Sequence, residues 1–281
     1  MSLVVALWMV LVLSFAFLIH WSFGEVKFRW SRSRLTDLSF LSLHLTGWIE
    51  YTTILFSFGL ALPIRRVVGT VTGNHLLHVQ SMWLAVTIYF VVSSFVDYWH
   101  HRFWHTRLAW FFHRMHHSAT EYSPLLTYRV HPIERTFDVV FRIAPLCLIE
   151  LSGPAFAFAG IMNGLITILI HTDSGLKWGW FGRWLVISPR AHKIHHSPLA
   201  EHENVNFGII LPLWDHVFGT WYEGQVINEE VGIAEPVHNR SFFLIDVLID
   251  MRDFVRQSLL ILFNIGSSVR VSKKALAPET K

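Results

Sequence analysis

Three histidine clusters hold most of the chemistry this chain can do: His101-Arg102-Phe103-Trp104-His105, His113-Arg114-Met115-His116-His117 and His192-Lys193-Ile194-His195-His196. Their patterns are HxxxH, HxxHH and HxxHH. On a helix, residues three and four apart share a face, so each cluster aims two or three imidazoles in one direction. Imidazole is a ligand for iron, zinc, copper and nickel. These eight histidines exceed the four ligands of a tetrahedral zinc. They suit two metal ions held between converging helices. A lone HxxxH would carry little weight, because a single histidine is usually a hydrogen-bonded polar residue. Two HxxHH copies beside it, in a chain with a single cysteine, make accidental clustering the poorer explanation.

The elements that must position these clusters are apolar. Of the 281 residues 52% are hydrophobic and 15% charged, and the mean hydropathy is +0.41. That composition predicts one membrane domain, all-α, with several crossings. The formal charge of +3 is modest and forms no long basic tract, so nucleic acid is not an expected partner. Cys147 is alone, which excludes an intrachain disulfide and a cysteine-rich metal site. Tryptophans such as Trp21, Trp30, Trp99 and Trp104 stand where apolar runs end, as at a bilayer interface.

Residues 1–97 are expected to be transmembrane helices. The run 3–19 reads as an uncleaved anchor, followed by Lys27, Arg29, Arg32 and Arg34, which place the loop 24–37 on the cytoplasmic side. A second apolar stretch covers 38–62 and contains Glu50, a carboxyl group that is costly at membrane depth. A polar connection, 63–79, leads to a third span at 80–97. Three crossings then bring the first cap segment, 98–138, to the cytoplasmic face with two histidine clusters. The stretch 139–171 is longer than the ~20 residues one crossing needs, and Ser152-Gly153-Pro154 breaks it. A helical hairpin is expected there, because both flanking HxxHH clusters must meet at one face. A second cap segment, 172–240, carries the third cluster. The charges Asp246, Asp250, Arg252, Asp253 and Arg256 predict that 241–265 lies at the interface instead of crossing, followed by a tail to 281.

Motifs across about 97–221 sharpen this reading. They are Asp97-Tyr98-Trp99-His100-His101-Arg102 with His105, Trp110-Phe111-Phe112-His113 through His117-Ser118, and Arg129-Val130-His131-Pro132-Ile133-Glu134. His171 follows, then Ser188-Pro189-Arg190-Ala191-His192 through His196-Ser197, Asn206-Phe207-Gly208, and Trp214-Asp215 with Phe218-Gly219-Thr220. In this order and spacing they resemble the fatty acid hydroxylase / sterol desaturase superfamily of integral-membrane, non-haem di-iron oxygenases. The resemblance implies a transmembrane helical stem and a cytosolic histidine-rich cap that binds two iron ions, for which zinc can substitute in preparations. It implies His101, His105, His113, His116, His117, His192, His195 and His196 as ligands, with His171 as a ninth. Some relatives carry HxxxH at that last position, but residue 167 here is threonine; His131 is the candidate to fill the vacancy. His100 points about 100° from His101 on a helix and is read as a hydrogen-bonding neighbour. His202 and His216 are weaker candidates, and His20, His44, His75, His78 and His238 fall outside the constellation.

Neutral imidazoles bring no negative charge. Asp97, Glu134 and Asp173 could each take a ligand N–H and so fix ring orientation; Asp215, beside a turn-rich segment, reads as structural. An iron pair with open positions can activate O2, and oxidation of an unactivated C–H bond gives an alcohol or an alkene, between which the sequence does not choose. The substrate should be amphipathic: a sterol, fatty acyl lipid, ether lipid or carotenoid. With no flavin or dinucleotide fingerprint, no fused cytochrome b5 segment and no iron–sulfur cysteine set, electrons are expected from a separate ferredoxin, cytochrome b5 or flavoprotein reductase. The membrane would be a bacterial inner membrane or the endoplasmic reticulum. The competing reading is a histidine-rich membrane protein that binds or transports metal without redox catalysis.

Overall fold

The computed structural model describes residues 3–24, 30–49, 51, 55, 77, 79–174, 178–224, 230–233, 238–239 and 242–263. Glu50, His75, His78, most of the connection 63–79 and the tail from 264 lie outside the described residues. Among the described residues all regular structure is helical; the isolated bridge between Leu77 and Ile149 is the one strand-like pairing.

The chain forms α1 (Leu3–Phe23), α2 (Arg32–Thr46), α3 (Met82–Trp104) and α4 (Trp110–His117). A 3-10 turn, Pro124–Tyr128, leads to α5 (Pro132–Leu148) and α6 (Gly153–Leu169). Short helices α7 (Gly179–Trp184), α8 (Pro189–His195) and α9 (Leu213–Phe218) precede α10 (Phe243–Leu262). Local chemistry sets the starts. The Ser31 hydroxyl accepts from the Arg34 amide at 3.0 Å to cap α2. The Ser188 hydroxyl caps α8 through the Ala191 amide at 3.2 Å, with Pro189 in the first turn, where its missing N–H costs nothing. Gly47, at φ 80°, ends α2 in the left-handed conformation.

One of these boundaries differs from the sequence expectation. Helix α2 begins at Arg32, inside the stretch read as a cytoplasmic loop, because Ser31 caps it and its early charges are used internally. Arg34 and Asp37 are buried, Arg34 against the Ser123 hydroxyl and Asp37 against Arg129 at 3.0 Å. Helix α3 runs, as expected, from the apolar stretch straight into the first histidine cluster, unbroken through His101.

Helix α3 is the one described helix long and apolar enough to cross a membrane; Val10–Phe23 and Gly153–Leu169 are shorter apolar helices. Ala85 and Tyr89 of α3 pack with Ile149 and with Ala159 of α6, the alanines allowing close approach of backbones. Ser152-Gly153-Pro154 does break the 139–171 stretch: α5 stops at Leu148 and the Ser152 hydroxyl caps α6. A second cluster gathers Val12, Phe40, Ile168, Phe243 and Val247 around Met115. Met115 is fully buried, which contributes about 1.5–3 kcal/mol. It sits between His113 and His116, so four helices close on the back of a histidine-bearing turn.

Candidate metal centre

Helix spacing does what the motifs require. Nine histidines converge into two groups: His101, His105, His113, His117 and His195, and His116, His171, His192 and His196. Within each group the nearest ring nitrogens all lie within 4.8 Å of one another. Each HxxHH segment splits between the groups. In α4, His113 and His117 face the first and His116 the second. In α8, His195 faces the first, whereas His192 and His196 face the second.

Ring orientation is fixed from the far side of five of these imidazoles. His101 Nδ1 donates to the Phe207 carbonyl and His195 Nδ1 to the Val205 carbonyl, each at 2.7 Å. His113 Nδ1 donates to Glu134 Oε1 at 2.7 Å. His116 Nδ1 donates to the Arg129 carbonyl at 3.2 Å and His171 Nδ1 to the Thr167 carbonyl at 2.8 Å. A carbonyl only accepts, so where one partners Nδ1 that nitrogen carries the proton and Nε2 presents a lone pair.

Those lone pairs face each other. Nε2 to Nε2, His101 stands 3.0 Å from His195 and 3.1 Å from His113, and His113 stands 3.2 Å from His117. In the second group, His171 is 3.4 Å from His116 and 3.1 Å from His192, and His192 is 3.3 Å from His196. Two nitrogens bound at about 2.1 Å to one ion are about 3.0 Å apart at a right angle and about 3.4 Å apart at the tetrahedral angle. The observed spacings fall in that interval. Two lone pairs aimed at one another are reconciled by a cation between them, so the donor set fits a metal in each group. Burial, with the neighbouring imidazoles, holds His113, His116, His117, His192 and His196 well below the ordinary histidine range. They are neutral at physiological pH, as metal ligands must be.

Next to both groups is a cavity of about 70 Å³ whose walls include His101, His113, His116, His171 and His192. Thr127, Glu134, Asp138 and Thr167 also line it, so a reacting carbon placed there would meet polar side chains as well as histidines.

His131 is not brought into either group. Its Nδ1 accepts the Ile133 amide at 3.1 Å, capping α5, and its Nε2 points at the Val247 carbonyl 3.5 Å away. Burial pushes its pKa down to about 4. A neutral ring whose Nδ1 lone pair is spent on an amide carries its proton on Nε2, leaving no lone pair for a metal. Thr167 directs its hydroxyl to the Asn163 carbonyl at 2.8 Å and offers its own carbonyl to His171. His100 Nε2 accepts from Trp104 Nε1 at 2.7 Å. His202 packs against Tyr222, and His216 stacks on Trp184 with ring centres 4.1 Å apart. Glu134 takes the His113 N–H as expected of an acid here. Asp173 instead receives Lys193 Nζ at 2.7 Å.

Several supporting residues carry no signal in the histidine spacing. Asp215 accepts the Phe207 amide at 2.7 Å, the Gly208 amide at 2.8 Å and the Thr220 hydroxyl at 2.7 Å. Asn206, at φ 53°, donates to the Ala191 carbonyl at 3.0 Å. Together they build the segment whose carbonyls hold His101 and His195. Arg129 is fully buried and donates to the Met115 carbonyl, Ser118, Asn239 and Asp37. It thereby fixes its own carbonyl on His116. The motif segments Arg129-Val130-His131, Asn206-Phe207-Gly208 and Trp214-Asp215 mark these residues in the sequence, but not what they hold.

Residues 86–220 match the family model described as fatty acid hydroxylase. The chain is similar to the ornithine lipid hydroxylase OlsE of Rhizobium tropici, 30% identical over 64% of this chain and 56% of the relative. It is similar to the alkylglycerol monooxygenase of Danio rerio, 31% identical over 59% of this chain and 36% of the relative. It is also similar to the Delta(7)-sterol 5(6)-desaturase ERG3A of Gibberella zeae, 23% identical over 58% of this chain and 45% of the relative. The matched part thus spans between 36% and 56% of these relatives' own lengths. No solved structure matches the chain.

Proposed function

We propose, from the premise that this chain belongs through residues 86–220 to the fatty acid hydroxylase family, that the protein is a membrane-embedded di-iron oxygenase acting on a C–H bond of a lipid or sterol. One observation carries the reading: nine histidines in two groups, with lone pairs facing across 3.0–3.4 Å. Five donors in the first group exceed the four of a structural zinc site. The names of the relatives, two hydroxylating enzymes and a desaturase, support both outcomes, an alcohol or an alkene.

Bound iron would supply activation of O2 toward an unactivated C–H bond. The chain's residues do the rest. Glu134 and the carbonyls of Phe207, Val205, Arg129 and Thr167 hold ligand Nδ1 protons, which fixes the tautomers and makes Nε2 the better donor. Burial of both groups keeps bulk water away. The cavity walls formed by Thr127, Thr167 and Asp138 would orient the substrate carbon between the groups. Electrons would come from a separate donor: a ferredoxin, cytochrome b5 or flavoprotein reductase.

In this reading α3 crosses the bilayer with the apolar α1 and α6 beside it. The histidine-bearing helices form a cap on the cytoplasmic face, a side assigned from the basic residues between α1 and α2. His131 is then a structural cap and not a ligand.

The test is expression of the chain in a host lacking it, with lipid extracts compared under 18O2 and under nitrogen. A lipid heavier by one labelled oxygen, or lighter by two hydrogens, should appear only with O2 and only when His195 is intact. An unchanged lipid profile from fully metallated protein would favour the metal-binding or transport reading.

A further inference from the structure

We propose that Glu134 is a specificity-determining residue of this site: its free carboxylate oxygen, together with the Nδ1–H of His192, receives a hydroxyl or secondary amide beside the carbon to be oxidised. This rests on the oxygenase reading above and adds to it the group that the substrate must carry. Buried polar atoms without a partner are uncommon, because each forfeits its hydrogen bond to water. The wall of the cavity beside the histidine groups includes two residues with such an atom. Glu134 is 5% exposed. Its Oε1 accepts from His113 Nδ1 at 2.7 Å, and its Oε2 is buried with no hydrogen-bond partner among the described residues. His192 Nε2 stands 3.1 Å from His171 Nε2 and 3.3 Å from His196 Nε2, so a metal there leaves the ring proton on Nδ1. That nitrogen too is buried with no partner among the described residues.

The other polar side chains of the wall are already engaged. The Thr127 hydroxyl donates to the Thr167 carbonyl at 3.2 Å, the Thr167 hydroxyl to the Asn163 carbonyl at 2.8 Å, and Trp104 Nε1 to His100 at 2.7 Å. Asp138 faces His100 Nδ1 at 3.6 Å and Arg135 at 3.5 Å. What remains is one acceptor, since a carboxylate oxygen only accepts, and one donor. A group that both donates and accepts answers this pair. A hydroxyl does so at one atom, a secondary amide at two neighbouring ones. An ether only accepts, so its oxygen would meet the Glu134 carboxylate with no hydrogen between them. A carboxylate or phosphate would meet Glu134 and Asp138 as like charges. The cavity, about 70 Å³, exceeds the ~10–15 Å³ that one water needs, and it admits the polar end of a lipid but not its chain. Val130, Ile170 and Ile209 add apolar faces to the wall for the carbon beside that end. Water can occupy this place in the resting site, and a hydroxyl that displaces it keeps both bonds.

The test measures binding without turnover. The full chain is loaded with cobalt(II) in detergent micelles under nitrogen and titrated with hexadecan-1-ol or its methyl ether, each carrying 13C at the carbon that bears oxygen. Cholesterol and its 3-methyl ether, labelled at C3, form a second pair. Paramagnetic relaxation of the label, in excess of that with zinc-loaded protein, reports the fraction of probe held beside the metal groups. The alcohol of at least one pair should reach half-effect at a mole fraction at least about tenfold below its ether, the size of one hydrogen bond to a charged acceptor. Glu134→Gln keeps an oxygen for His113 Nδ1 and turns an NH2 to the cavity. It should bring the ether level with the alcohol or ahead of it, at an unchanged cobalt count, which a merely structural role would not do. Equal affinity for alcohol and ether in the wild type would overturn the proposal, leave water as the occupant and leave the oxygenase reading standing. That comparison needs no substitution, so it decides even where the variant does not fold. An alcohol preference that survives in cobalt-loaded Glu134→Gln would overturn the role of Glu134. No excess relaxation from any of the four probes would count against the lipid oxygenase reading itself and overturn the proposal with it.

Discussion

His101 and His195, 94 residues apart in sequence, meet Nε2 to Nε2 at 3.0 Å, and one short segment clamps both from behind. Phe207 holds the Nδ1 proton of His101 and Val205 that of His195, each at 2.7 Å. Asn206 between them takes a left-handed turn. The first group is therefore assembled across α3 and α8 by two carbonyls of a segment that contributes no ligand.

Removing one partner separates the two groups. Iron-replete protein should carry close to two irons per chain by elemental analysis. His195→Ala should lose the metal of the first group and retain the second, giving about one per chain, and product formation should fall to background. Loss of both metals from a folded variant would show that the groups do not bind independently. Zinc at the same stoichiometry would preserve the count and abolish the activity, as zinc has no redox chemistry.

Asp215 should matter as much as a ligand while touching none. Asp215→Ala would strip acceptors from two buried amides and the Thr220 hydroxyl, costing about 3 kcal/mol or more. Because Phe207 and Val205 would lose their fixed positions, metal affinity in the first group should drop about 10–100-fold, the range for groups that orient ligands. Asp215→Asn keeps one acceptor oxygen and should fall between. The measurement is metal competition with a chelator, paired with a thermal melt to separate loss of affinity from unfolding.

The convergence of the histidines was legible because helical periodicity and metal chemistry act on the same spacing. HxxHH at 113–117 and 192–196 can point its histidines only to neighbouring sides of a helix. The break at Gly153-Pro154 was legible from turn chemistry. The role of His131 was not: only the tertiary fold reveals that the Ile133 amide takes its Nδ1. The start of α2 was misread because Arg32 and Arg34 look like loop cations. The burial of Arg34 depends on Ser123, and that of Asp37 on Arg129, 92 residues away, whereas Arg32 stays exposed. The charges of 241–265 pointed to an interfacial helix, and the structure turns its carboxylates inward. Periodicity cannot say which face of a helix meets protein when its partner is the distant Arg114.

His238 provides a direct reversal. From sequence it lies outside the metal constellation, and His238→Ala is expected to behave like the wild type. In the structure its ring is buried and its Nε2 faces both oxygens of Asp250 at 2.9–3.0 Å. Asp250 is also the partner of Arg114, which sits on α4. His238→Ala should therefore cost about 1–3 kcal/mol through a partly unsatisfied buried carboxylate. Asp250→Asn in the same background should recover part of that loss, since the amide no longer buries a charge. A double-mutant cycle by thermal or denaturant unfolding in detergent checks this. Purely additive effects would mean that the two side chains do not interact.

In the proposed membrane arrangement both HxxHH segments open to the same side. The rings of His117 and His196 stack with centres 4.3 Å apart, and His171 stands 3.4 Å from His116. The chain that leaves α4 near 118 is therefore back beside it at 171, having run up α5 and returned along α6. The Thr120 amide donates to the Ser33 hydroxyl at 3.1 Å, which brings the start of α2 to the same end. In a Cys147→Ser background, cysteines placed one at a time by Ser31→Cys, Thr120→Cys and Ser197→Cys should all react with an impermeant maleimide from one face. The basic residues around 27–34 predict that this face is the cytoplasmic one. Thr72→Cys, on the connection between the second and third apolar stretches, should react from the other. If Thr120→Cys and Ser197→Cys labelled from opposite faces, 139–171 would be a single crossing. The nine histidines could not then share the two groups described, and the oxygenase reading would fail with the topology.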